Sequence, residues 1–237
     1  MATKILRARY GRPATATLAE VIRASKDGDP LAQMTVVVPD HTLGLTVRRQ
    51  LAANASGLVA VDFITLLDLA RRISAGSPLI SSRRPVSDAV VLAATRRLLA
   101  ERPGAFAPVA DHPSVEHTVM ATHRNLREVH PEALDRLSAI GGPVADLVDL
   151  HRSLVERLEP TFHDERERAV VAAARIADGT TDLPPIVLYL PGALVASERR
   201  LVGALAAAGG LTARGGEADG AAAAVAADPH LAAVAAT

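Results

Sequence analysis

The stretch Val36 to Leu51, VVVPDHTLGLTVRRQL, decides the fold class. Together with Thr35 it opens on a β-branched run without polar alternation, the pattern of a strand covered on both faces, as in parallel sheets. Pro39 ends the run, because a proline cannot donate to a strand ladder. Leu43, Val47 and Leu51 then recur at helical spacing and leave Arg48 and Arg49 outward. A buried strand that turns straight into a helix is the repeating unit of α/β proteins, and the turn at its carboxyl end is where their ligands sit.

Working outward, the same plan returns on both sides. Lys4 to Ala8 reads as a strand, and Ala14 to Lys26 as a helix carrying Leu18, Val21 and Ile22, stopped by Asp27-Gly28-Asp29-Pro30. Leu58 to Ile64 reads as a strand, with Thr65 as the N-cap of the next helix and Asp68 as its capping-box partner. Leu66, Leu69, Ala70 and Ile73 give that helix one apolar stripe. Strand-to-helix units in succession predict an α/β fold with a RecA/Rossmann-like parallel sheet joined by right-handed crossovers.

From Ser87 to Ala177 the strand signal is absent, and helices are predicted over 87–101, 114–129, 131–139, 143–158 and 164–178. This segment reads as a helical insertion. Ile186 to Leu190, introduced by Pro184-Pro185 and ended by Pro191, is a further buried strand, with Ser197 capping a helix through Ala208. A weak strand at Leu211 to Ala213 precedes an Ala/Gly-rich tail. The expected organisation is therefore 1–78 as the first part of the α/β domain, 79–182 as the insertion, 183–213 as the return, and 214–237 as a tail or the start of a missing segment.

Composition narrows the function classes. With no cysteine, disulfides, thiolate catalysis and zinc-thiolate sites are excluded. No apolar run approaches the roughly 18 residues of a membrane span, so the reading is a soluble, cytoplasmic chain without a membrane partner. The net charge of zero hides a linear split, 15 Lys/Arg against 8 Asp/Glu in residues 1–110 and 11 against 18 in residues 111–237. Arg48-Arg49, Arg71-Arg72, Arg83-Arg84 and Arg96-Arg97 all lie in the basic half. A basic half invites an anionic partner, although arginine doublets on helices also serve simply as solvated faces whose stems cover the core edge.

The common catalytic arrangements fail on their own requirements. A phosphate cradle needs glycines, a lysine and a hydroxyl, and the first strand-to-helix turn, Tyr10-Gly11-Arg12-Pro13-Ala14-Thr15-Ala16-Thr17-Leu18, puts Ala16, Thr17 and Leu18 where Gly-Lys-Ser/Thr is required. Both lysines, Lys4 and Lys26, lie elsewhere, and Leu188-Tyr189-Leu190-Pro191 lacks the strand-end acid that would hold magnesium. Pro39-Asp40 suggests the start of a metal-dependent nuclease signature, but no acid-x-Lys follows it. Asp40 and His41 are adjacent and lack a nucleophile elbow; His112, Glu116 and His117 lack the His-Glu-x-x-His order. His151 falls on an apolar stripe and reads as a hydrogen-bonded core histidine. No catalytic residue, cofactor or metal is expected in this chain.

The order of the pieces carries a resemblance. A degenerate first turn is followed by TVVVPDHTLGLTVRRQLA (Thr35 to Ala52), GLVAVDFITLLDLARRIS (Gly57 to Ser74), a helical insertion, TFHDERE (Thr161 to Glu167) and PIVLYLPGALVASERRLVGAL (Pro185 to Leu205). Over about residues 5–210 this is similar to the N-terminal region of AddB-type, RecC-like subunits of bacterial helicase–nucleases, described as PD-(D/E)XK nuclease family proteins with a degenerate UvrD-like helicase domain. The resemblance implies a role in DNA double-strand-break repair for the parent protein, with this chain stopping before the nuclease domain. It implies that the segments at Pro39 to Arg49 and Asp62 to Thr65 line a single-stranded DNA track. His41, Thr42 and Thr65 are then the phosphate contacts, Arg48 and Arg49 the outer ones, and Pro39 and Asp40 shape the turn. The partners so implied are DNA, single-stranded or as a duplex end, and a helicase subunit. Two readings of other classes stay open: a nucleotide- or small-ligand-binding Rossmann-type domain, and a protein-interaction module docking a partner helicase.

Overall fold

A computed structural model describes residues 4–9, 11–54, 58–209 and 211–216. The chain divides into two units, a sheet unit of residues 1–75 with 169–237 and a helical unit of residues 76–168.

In the sheet unit, β1 (Lys4–Ala8), α1 (Arg12–Ser25), β2 (Met34–Val38), α2 (His41–Asn54), β3 (Val61–Thr65) and α3 (Leu66–Ser74) follow one another. The chain returns with α9 (Glu165–Ala177), which starts in the helical unit, then β6 (Ile186–Tyr189), α10 (Ala196–Ala207) and β7 (Leu211–Gly216). The five strands form one sheet, ordered β1-β7-β6-β2-β3, in which every pairing is parallel.

Strand alternation sorts the core into two layers. Val36 and Val38 of β2, with Val187 and Tyr189 of β6, face α1 and α2 and pack on Ala14, Leu18, Ile22, Val47 and Leu51. Val37, with Ile64, Ile186 and Leu188, faces the opposite way onto α3, α9 and α10, against Leu66, Leu69, Ile73, Ala172, Ile176, Leu201 and Leu205. The steps β1 to β2 and β2 to β3 move toward one edge with their helices on one face. The steps β3 to β6 and β6 to β7 move the other way with their helices on the other face, as a constant crossover hand requires. The direction reverses between β2 and β6. Their carboxyl ends, at Pro39 and Leu190, therefore flank the position where open α/β sheets form a crevice.

The helical unit contains α4 (Pro78–Ser81), β4 (Arg84–Pro85), α5 (Asp88–Glu101), a short 3₁₀ helix (Gly104–Val109), α6 (Pro113–Arg127), α7 (Pro131–Ser138), α8 (Gly142–Leu158) and β5 (Phe162–His163). Leu98, Leu99, Val119, Leu150 and Leu154 form its core. Its two chain ends are tied together: β4 pairs with β5, and Arg83 donates to Glu167 Oε1 (2.8 Å) and to the carbonyls of Glu159 and Phe162.

Several expectations are corrected. The insertion runs 76–168, not 79–182, because Ala169, Ala172, Ala173 and Ile176 of α9 pack in the sheet unit's core. It also holds a two-residue ladder, too short to leave a sequence pattern. The last strand continues to Gly216, beyond the expected limit of 213, because it pairs with β1 along that length; the rest of the tail, residues 217–237, lies outside the described residues, as do Tyr10 and residues 55–57. Helix α10 starts before Ser197, because Glu198 Oε2 accepts from the Val195 N–H (3.0 Å) and fixes the start there. His151 is buried and its ring is hydrogen-bonded to the His123 backbone, as expected of a core histidine, but its Nδ1 has no partner. Among the described residues, no helix is long and apolar enough to cross a membrane.

Candidate nucleic-acid interface

The turns after β2 and β3 lie side by side, because Val38 and Thr65 are register partners at the carboxyl ends of adjacent parallel strands. Asp40 starts α2 by accepting from the Leu43 N–H at its Oδ1 (2.8 Å), which leaves His41 and Thr42 exposed in the first helical turn. At the neighbouring turn Thr65 and Asp68 form the reciprocal cap expected from the sequence. The Asp68 N–H donates to Thr65 Oγ1 (3.2 Å), and the Thr65 N–H donates to Asp68 Oδ2 (3.2 Å).

One carboxylate joins the two turns. Asp68 Oδ2 also accepts from Thr65 Oγ1 at 2.6 Å and lies 3.4 Å from His41 Nε2, while Oδ1 accepts from Arg71 Nη1 at 3.1 Å. The Thr65 hydroxyl, followed by its N–H and the nearby His41 and Arg71, holds the Asp68 carboxyl below the usual carboxylate range. The structure thus brings His41 and Thr65 together through Asp68, which the sequence marks only as a capping partner. Thr65 spends its hydroxyl proton on Asp68, so it positions the turn and offers less to an outside anion than Thr42.

Glycine sets how closely α2 sits. A Cβ built on Gly44 would lie 3.1 Å from Val38 Cγ2 and 3.6 Å from Phe63 Cβ, so glycine lets the first turns of α2 rest on β2 and β3 where any side chain would require Val38 to give way by a few tenths of an ångström. An interior helix glycine is a readable sequence signal for such close approach.

Arg48 and Arg49 stand apart from the edge. Arg48 follows His41 by seven residues, which places it on the same helix face within about 20° and about 10 Å further along the axis. Both guanidinium groups are exposed and meet no carboxylate among the described residues. The other three doublets of the basic half are at least partly neutralised. Arg71 and Arg72 pair with Asp68 and Asp62, Arg83 with Glu167, and Arg96 and Arg97 with Glu116 and Glu101. The linear charge split does not survive folding: the sheet unit holds 14 Lys/Arg against 12 Asp/Glu, and the helical unit 12 against 14.

Two further features bear on ligands at the carboxyl edge. Only residues 9–11 separate β1 from α1, and Pro13 removes an N–H from the first turn of α1, so little backbone is left to wrap a phosphate there. At the end of β6, Leu190 has φ +48°, a conformation costing a bulky residue of order 1–3 kcal/mol. Among the described residues no cluster of three or more metal-ligating side chains occurs. No protein-family model and no curated protein matches the chain.

Proposed function

We propose that the sheet unit is a RecA/Rossmann-like, non-catalytic scaffold that guides DNA by gripping the phosphate backbone along α2 and the adjoining edge, as a helicase-like region of a double-strand-break-repair helicase–nuclease subunit. The observation that carries this reading is Arg48-Arg49, the one doublet of the basic half in which neither guanidinium meets a carboxylate among the described residues, on the helix whose capped start exposes His41 and Thr42. Unpaired guanidinium groups on the exposed side of a helix are the groups that phosphates attract and counterion release rewards. The helix start adds N–H groups and the positive end of its dipole.

The nucleotide-binding alternative draws less support, since the turn after β1 is short, lacks a lysine and contains Pro13. Heat on titration with ATP and magnesium would restore it. The reading itself is tested by ultraviolet cross-linking to oligo-dT followed by peptide mapping. Adducts are expected on 39–54, with Thr42 ahead of Thr65; adducts confined to the helical unit would overturn it.

A further inference from the structure

Buried histidines are distributed unequally among the described residues. In the sheet unit, the one histidine among the described residues is His41, which is exposed. In the helical unit, His123, His151 and His163 are buried at 7%, 4% and 2% exposure, and the Nδ1 of each has no hydrogen-bond partner. His123 on α6 and His151 on α8 stack with ring centroids 4.8 Å apart.

Their surroundings are unfavourable to a proton. From α6, Arg127 is nearly buried, and although it pairs with Asp164 (2.7 Å) and Glu159 (2.8 Å), its charge bears on both rings. Arg124, also on α6, bears on His123 and pairs with Asp88 of α5. Arg152 on α8 bears on His151 and is paired with Asp135 of α7. From the start of α9, Arg166 also opposes charge on His151; Asp164 favours charge on His123 but is already engaged by Arg127. The His123 backbone accepts a hydrogen bond from the His151 ring and favours charge there, but burial and Arg127 outweigh it: a proton on either ring would be buried, without an acceptor at Nδ1, and beside a second imidazole and a guanidinium.

We propose that the stacked His123–His151 pair is a proton-operated release for the helical unit, which opens as the pH falls below neutrality while the sheet unit stays closed. Burial first, then the neighbouring positive charges, push both histidines down to about 4, and the same causes lower His163. The open state takes up protons at the ordinary value near 6.5, whereas the closed state resists them until about 4. The closed form is therefore fully favoured above 6.5 and loses its advantage as the pH falls from 6.5 to 4. Between pH 7 and pH 5 each of the two histidines raises the opening constant about 20-fold, so the pair raises it by several hundredfold.

The test is hydrogen exchange of the whole chain, resolved by peptide and corrected for intrinsic rates, at pH 7, 6 and 5. Peptides of α6 and α8 are expected to lose protection by several hundredfold, and those of α1 and α2 by less than threefold. His151→Gln should remove about 20-fold of that loss, and His123→Gln with His151→Gln all but the share of His163. An equal loss in both units, or a loss that persists in the double variant, overturns the proposal. Should the variants fail to fold, a titration of histidine ring resonances in the unaltered chain decides. Two rings that keep their neutral shifts until the unit opens support the release, and two rings titrating independently near 6.5 contradict it.

Discussion

Replacing Gly44 by alanine sets two effects of opposite sign against each other. An alanine inside α2 gains about 1 kcal/mol of intrinsic helix preference over glycine. Its Cβ, however, arrives 3.1 Å from Val38 Cγ2 and 3.6 Å from Phe63 Cβ. Val38 is 2% exposed and, being β-branched, has little χ1 freedom with which to yield. Overpacking of this kind costs about 1–3 kcal/mol, so the steric term wins and Gly44→Ala loses about 1 kcal/mol net. Gly44→Val, with two further methyl groups and poorer helix preference, loses about 3 kcal/mol or more. Because the two units need not unfold together, the assay is urea-dependent hydrogen exchange read in peptides of β2 and α2. A Gly44→Ala variant more stable than the parent by about 1 kcal/mol would mean that propensity alone governs the site, and would refute the close seating of α2.

Further outcomes are expected at the other buried or capped groups. Arg127→Ala leaves Asp164 and Glu159 without their partner and should destabilise the helical unit by about 3 kcal/mol in denaturant melts. Arg127→Met, which keeps the packing stem, should recover part of that loss and flatten the acid opening, because the charge opposing both histidines is gone. Thr65→Ala removes the N-cap acceptor of α3 and should cost about 1 kcal/mol of sheet-unit stability, whereas Thr65→Ser should be close to neutral. Asp68 is held below its usual range, so its contribution is present above the unfolded carboxylate value and lost as the pH falls through the lower folded one. Sheet-unit melts should therefore begin to weaken only below about pH 4, and Asp68→Asn should remove that dependence.

The parts that were legible in the sequence are those determined within a few residues. Val36 to Leu51 announced both β2 and α2, and Thr65 with Asp68 announced the cap of α3, because period and capping chemistry act over one or two turns. Pairings between distant residues were not legible. β7 inserts between β1 and β6, two-residue β4 finds β5 across almost eighty residues, and α9 changes unit along its own length. His151 could be recognised as buried from its stripe, but its stacking on His123 depends on how α6 meets α8. At the candidate interface, the exposure of Arg48 and Arg49 followed from helical phase. Arg96, by contrast, looked equally available in the sequence, yet it is bound to Glu116 twenty residues on. An excess of arginine along the chain is therefore a poor guide to where positive charge stays free once carboxylates from other elements arrive.

The measurement that bears most directly on DNA guiding is the salt dependence of oligo-dT affinity, read by fluorescence anisotropy between about 50 and 200 mM salt, for the chain and for Arg48→Ala with Arg49→Ala. Two phosphate contacts on a single strand correspond to about 1.4 in the slope of log affinity against log salt. The expected result is binding that weakens with salt in the unaltered chain and a slope shallower by about 1.4 in the double variant. Affinity that is the same at low and high salt, or a slope untouched by the double substitution, would contradict the reading of α2 as a grip on the phosphate backbone.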